Sequence, residues 1–258
     1  MYACRSILCL FFFLTTTYSA TSQTAISQVP TSQMPTAFQA QAQTAVSAGK
    51  SFSVVSLTAT AEWTSGSLRE NGTAQLLANA DGSTNVQLSL GKASRTEVQT
   101  KVDFSRSCTW IDGARKNHKI TGPNCFLSIP WFAPGLFMQS SAHLSPLLAT
   151  TDDGEVQKNG STLHQMSYLL NLESPDSTIA KQIVGQSTVR VFFDPQTFLP
   201  VSLEYSAHPD NDDSQNIPVR VVFSNFQSVS GVMIPFHIEK YLQRALQLKL
   251  DVTNASIQ

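Results

Sequence analysis

Charge is what this chain has least of. Only 14% of its 258 residues are Asp, Glu, Lys or Arg, against about 25% in an average soluble protein. Neither sign prevails, since the formal net charge is −1. A nucleic-acid binder, whose affinity rests on a basic footprint, is thereby excluded. Cysteine is scarce too, with four in the whole chain and no C-x-x-C pair, so a dithiol redox centre of that kind is absent. The longest fully apolar run, Ile7–Leu14, falls far short of the roughly 20 residues that span a bilayer. Nucleophile elbow, zincin, P-loop and dinucleotide fingerprints are all missing. The five histidines, at 118, 143, 164, 208 and 237, have no ligand-like spacing. The sequence therefore predicts no enzyme, no metal and no cofactor.

What is present begins with "MYACRSILCLFFFLTTTYSATSQ". One basic residue, a short apolar run and small residues beyond it make a secretory signal peptide. Cleavage fits best after Ser22, so residues 1–22 are assigned to it. Cys9 lacks the Leu-small-small context of a lipid-anchored cysteine. The expectation is an exported protein of the bacterial periplasm or extracellular space, with no transmembrane anchor after cleavage. Three Asn-x-Ser/Thr triplets, at Asn71, Asn159 and Asn254, leave a eukaryotic secreted origin open. Residues 23–35, rich in Ser, Thr, Gln and Pro and without charge, read as a flexible linker. Export leaves Cys108 and Cys125 as an even pair in an oxidising compartment, where a disulfide is the default.

From residue 36 to 258 a single domain is expected. "TAFQAQAQTAVSAGK" reads as a short helix stopped by Gly49. Beyond Lys50 the apolar period becomes two: Leu57, Ala59, Ala61 and Trp63; Val86, Leu88 and Leu90; Ile217, Val219, Val221 and Phe223; Val232, Ile234, Phe236 and Ile238; and Leu242 with Leu246 to Val252. Asn71-Gly72, Asp81-Gly82, Asp112-Gly113, Asp153-Gly154, Asn159-Gly160 and Asp194-Pro195 supply turn chemistry between runs. Around 126–155 an apolar, proline-rich stretch reads as an irregular or partly helical insertion, and "SPDSTIAKQIVG" as another short helix. "HPDNDD", from His208 to Asp213, reads as a solvated hairpin tip. The fold class is α+β: a large curved antiparallel sheet with a few short helices covering its concave face.

The order of "VRVFFDPQTFLPVSLEY", "IPVRVVFSNFQSVSGVMIPFHI", the upstream "GTAQLLANADGSTNVQLSLG" and the turn at Trp110-Asp112-Gly113 resembles the unclosed β-barrel proteins of the bacterial envelope related to the lipoprotein carrier LolA. That superfamily also takes in mycobacterial lipid-carrying lipoproteins and the periplasmic stress sensor RseB. The resemblance spans about residues 36–258 and implies a half-barrel whose concave face accepts acyl chains. Burying such a chain is worth about 0.8 kcal/mol per CH₂. An Ala/Gln-rich first helix, the long insertion and the cysteine pair are this chain's own.

Two functional readings follow. One is a binding or carrier module for a lipid, lipoprotein acyl chains or another amphiphile; the other is an RseB-like sensor or interaction module for a peptide or envelope protein. Candidate ligand contacts are Trp63, Leu88, Trp131, Phe132, Leu136, Phe223 and Phe236, whose other reading is ordinary core under a sheet. Phe192 and Phe193, being adjacent in a strand, must face opposite sides. Arg115, Lys116 and Lys119 are a candidate basic rim for anionic headgroups, or a solvated hairpin end. Oligomeric state is left open.

Overall fold

Residues that alternate apolar and polar become strands, and here they build one sheet. The structure, a computed structural model, describes residues 36–102, 105–120, 124–125, 130–143, 148–170, 185–209 and 215–258, all within one compact unit, Ser32–Gln258. The signal peptide, the linker and the helix expected before Gly185 lie outside the described residues. Thirteen strands follow one another as β1 (Val54–Ser65), β2 (Leu68–Asn79), β3 (Thr84–Ser89), β4 (Arg95–Val102), β5 (Ser105–Ile111), β6 (Asn117–Lys119), β7 (Leu148–Lys158), β8 (Ser161–Leu170), β9 (Val189–Phe193), β10 (Pro200–Ala207), β11 (Ile217–Val229), β12 (Val232–Leu242) and β13 (Ala245–Ile257). Every pairing is antiparallel, in the order β6-β5-β4-β3-β2-β1-β13-β12-β11-β10-β9-β8-β7. The two ends, β6 and β7, do not pair with each other, so the barrel is not closed.

The predicted period of two matches burial. Val55, Leu57, Ala59 and Ala61 of β1, Val219, Val221 and Phe223 of β11, and Leu248, Leu250 and Val252 of β13 are all buried. All of these but Val219 belong to a single core on the concave face. Each large aliphatic side chain removed from water there contributes roughly 1.5–3 kcal/mol. Phe192 and Phe193 do part company: Phe193 joins this core, while Phe192 is covered on the other face by Lys158, whose ammonium lies 3.7 Å from the ring centre.

Two helices lie over part of that face. α1 (Ala37–Ser47) is capped by Thr36, whose hydroxyl accepts from the Gln39 N–H at 3.2 Å. It ends where Ala48 turns left-handed (φ 50°) and Gly49 follows at φ 75°. Its buried residues are Ala42 and Val46. α2 (Pro134–His143) begins on a proline, suited to a first helical position because its missing N–H would be unpaired there anyway. A Cβ at Gly135 would lie 2.4 Å from Val46 Cγ1, so glycine is what lets the two helices touch. Trp131, Phe132, Leu136, Phe137 and Met138 complete the plug.

Several expectations need correction. Asn71-Gly72 is no turn but lies inside β2. A Cβ at Gly72 would sit 2.0 Å from Ser89 O, so the glycine serves a close backbone approach. Asp153-Gly154 also lies within a strand, where the β7–β8 register shifts between Asp152 and Gly154 and Gly154 has φ 77°; the glycine marks a β-bulge. The insertion expected around 126–155 therefore ends earlier, since β7 starts at Leu148. The run from Leu242 to Val252 is two strands, split by a turn in which Gln243 (φ 48°) and Arg244 (φ 74°) are both left-handed. That backbone suits a two-residue hairpin, but without Gly or Asn it leaves no mark in the sequence. His208, expected on a solvated tip, is buried: its N–H donates to Asn124 Oδ1 at 2.8 Å, and its Nδ1 lies 2.9 Å from the Gln215 carbonyl.

Candidate functional site

The helices leave one end of the concave face uncovered, and a cavity of about 340 Å³ opens there. Strand register decides its walls. Trp63 near the end of β1 is paired with Leu248 of β13, which is paired with Lys240 of β12. Across β2, Leu88, Val86 and Thr84 of β3 are paired with Arg95, Glu97 and Gln99 of β4. Glu97 and Gln99 are paired in turn with Trp110 and Cys108 of β5. Residues directly opposite one another share a face, so a polar stripe at 95, 97 and 99 faces the cavity beside an apolar one. All three tryptophans of the chain, Trp63, Trp110 and Trp131, line it.

Cations rest on the aromatic walls. The Lys240 ammonium lies 4.6 Å from the Trp131 ring centre, and the Arg95 guanidinium 4.6 Å from that of Trp110. Such contacts are worth about 0.5–1 kcal/mol where water reaches them. Arg95 Nη2 also pairs with Glu97 Oε1 at 2.7 Å. Gln99 is only 3% exposed, and neither its amide nitrogen nor its amide oxygen has a hydrogen-bond partner among the described residues. Arg95 Nε is likewise unpartnered.

Cys108 and Cys125 are joined, with Cα atoms 5.5 Å apart. The bond ties β5 to the chain beyond β6, and Ile120 and Asn124 of that tied segment are part of the cavity wall. Asn124 is itself held, since its side-chain amide donates to the His208 carbonyl at 2.6 Å. The staple thus holds one wall of the cavity.

The sequence-derived candidates divide. Trp63, Leu88 and Trp131 line the cavity. Phe132, Leu136 and Phe223 do not; they are buried in the core that α2 plugs. Phe236, half-buried, packs against the same core away from the cavity. Their apolar character is used for packing in or against that core. Arg115, Lys116 and Lys119 are exposed around the β5–β6 turn and do not line the cavity. Asp112 organises that turn: its Oδ1 accepts from the N–H groups of Ala114 (3.0 Å) and Lys116 (2.8 Å), and its Oδ2 lies 3.0 Å from His118 Nε2. The hydrogen bond from His118, then those from the backbone, hold the Asp112 carboxyl below the ordinary carboxylate range. His118 in turn stacks on Trp110, with ring centres 4.1 Å apart. Arg95, Glu97, Gln99, Trp110 and Lys240 were not among the candidates. β4 reads RTEVQTKV, polar at every position but Val98 and Val102, so no alternation in the sequence marks the first three.

No family model matches the chain, and no curated protein matches it. Solved structures do. A candidate outer membrane lipoprotein-sorting protein domain from Vibrio parahaemolyticus shares 10% identity over 85% of this chain and 91% of that one, with a TM-score of 0.50. A DUF1329 family protein from Desulfovibrio piger shares 8% identity over 86% and 90%, with a TM-score of 0.51. A LolA superfamily protein from Nitrosomonas europaea shares 10% identity over 88% and 94%, also with a TM-score of 0.51. At such identities the likeness is one of backbone architecture. The chain shares an unclosed-barrel fold with these proteins.

Proposed function

We propose that this protein is an exported binding or carrier module that holds a lipid, lipoprotein acyl chains or another amphiphile at the open end of its concave face. The observation that carries this reading is the cavity walled by three tryptophans, Leu88 and Leu248. Its volume of about 340 Å³ falls in the range of small-molecule sites, about 300–1,000 Å³. Aromatic and aliphatic walls take an acyl chain, and Lys240, Arg95 and Glu97 at the same cavity meet a polar end. The reading includes no catalysis: Glu97, the carboxylate at the cavity, is already paired with Arg95. It places residues 1–22 as a signal peptide, 23–35 as a linker and 36–258 as the functional domain in the bacterial periplasm.

Native mass spectrometry and lipid extraction of protein purified from a bacterial envelope test it. A copurifying amphiphile, or saturable binding of an acyl probe, is expected. Recovery of neither would overturn the proposal. N-terminal sequencing of the exported protein is expected to begin at Gln23.

A second reading, a sensor or interaction module that takes a peptide or partner domain, is favoured by the charged and amide groups among the apolar walls, which suit a peptide backbone. Crosslinking in the envelope separates the two, since a stoichiometric protein partner without lipid supports this one.

A further inference from the structure

The cavity has a polar feature that an acyl chain alone does not use. Gln99 is buried, lines the cavity and carries, on one planar amide, a donor and an acceptor without a partner among the described residues. A buried amide left without partners is unfavourable, and its free energy is recovered when a complementary group arrives. Gln99 is paired with Thr84 on one side and Cys108 on the other, and the disulfide at Cys108 anchors the strand that carries its neighbour. The amide thus stands on a braced part of the sheet, where rigid placement favours selectivity. The cavity is also small: about 340 Å³ is near the lower limit for ligand sites, which suits one chain better than several.

Resting on the amphiphile-binding reading, we propose that the cavity selects a single-chain amphiphile ending in a primary amide. A primary amide carries its C=O and one N–H on the same edge, so the ligand C=O accepts from Gln99 Nε2 while that N–H donates to Gln99 Oε1. An ester of the same chain offers no N–H and leaves the Gln99 oxygen unpaired on binding; a site built around a hydrogen bond discriminates in this way.

Three probes of one acyl chain isolate the group: dodecanamide, methyl dodecanoate and N,N-dimethyldodecanamide. Tryptophan fluorescence reads binding directly, because every tryptophan lines the cavity. The expected result on the wild-type protein is about tenfold tighter binding of dodecanamide than of either analogue. Gln99→Met and Gln99→Leu are each expected to erase that difference while still binding all three. Equal binding of the three probes by the wild-type protein overturns the amide selectivity and leaves the amphiphile-binding reading standing. Binding of none overturns both. The wild-type comparison decides the matter even if a Gln99 variant fails to fold.

Discussion

The ring of Phe38 lies flat on the imidazole of His164, with centroids 3.5 Å apart and planes 6° from parallel. The same ring meets Phe193 edge-on at 5.6 Å and Phe198 at 5.3 Å, so one aromatic side chain fastens α1 to β8, β9 and the turn beyond. Phe38→Ala is expected to lower unfolding free energy by about 2 kcal/mol, less than for a fully buried Phe because Phe38 is half-buried. It is also expected to speed proteolysis within α1. Urea melts and limited proteolysis check both; an unchanged cleavage rate would show that other contacts hold the helix.

Acid should loosen the same attachment. Burial pushes the Asp152 carboxyl up, but hydrogen bonds from the Thr36 hydroxyl, His164 and the Gly154 N–H outweigh it and hold the group below the ordinary value. His164 Nε2 stands 2.6 Å from Asp152 Oδ1. A carboxyl depressed in the folded state stabilises it above the unfolded pKa, about 3.9 for Asp, and the contribution is lost as pH falls through the lower folded value. Asp152→Asn should therefore flatten the fall of stability below about pH 4. Urea midpoints measured at pH 3 and pH 7 for both proteins decide it.

Reducing the disulfide should act on stability and on the site together. Cys108 and Cys125 are 17 positions apart, and closing a loop of that size is worth about 3 kcal/mol in the chain-entropy model. Cys108→Ser with Cys125→Ser is expected to lower the Tm and, because Ile120 and Asn124 lose their anchor, to weaken acyl-probe binding. A variant that binds as tightly as the parent would separate the staple from the cavity.

Trp63→Ala should weaken binding more than folding. The residue is half-buried near the end of β1 and lines the cavity, so an acyl chain loses an aromatic wall. Roughly tenfold weaker acyl-probe binding is expected, with a smaller loss of stability than Phe38→Ala brings. Titration beside a urea melt tests the pair of outcomes.

Much of the fold was legible because its signals are local. Alternation marked Leu57 to Trp63 as one face, the Ala/Gln-rich stretch with Gly49 marked α1, and the even pair Cys108 and Cys125, under the expectation of export, marked the staple. Signals that serve two purposes misled. Gly72 and Gly154 carry turn-like dipeptides but answer a close approach and a bulge, and Gln243-Arg244 turns without any turn residue. The cavity was half legible: Trp63, Leu88 and Trp131 line it, while Phe132, Leu136, Phe223 and Phe236 lie in or against the core.

By itself the sequence determined which residues point inward along each strand, since that depends on neighbours two positions away. It also determined that the inward residues of β1, β11, β12 and β13 are apolar. Only the tertiary structure decided which part of that face is covered and which is open. That choice rests on α1 and α2 meeting at Val46 and Gly135 over one end of the sheet, and on a disulfide carrying Ile120 and Asn124 to the other. A cavity is the space left by packing between residues far apart in the chain, and no local pattern records it.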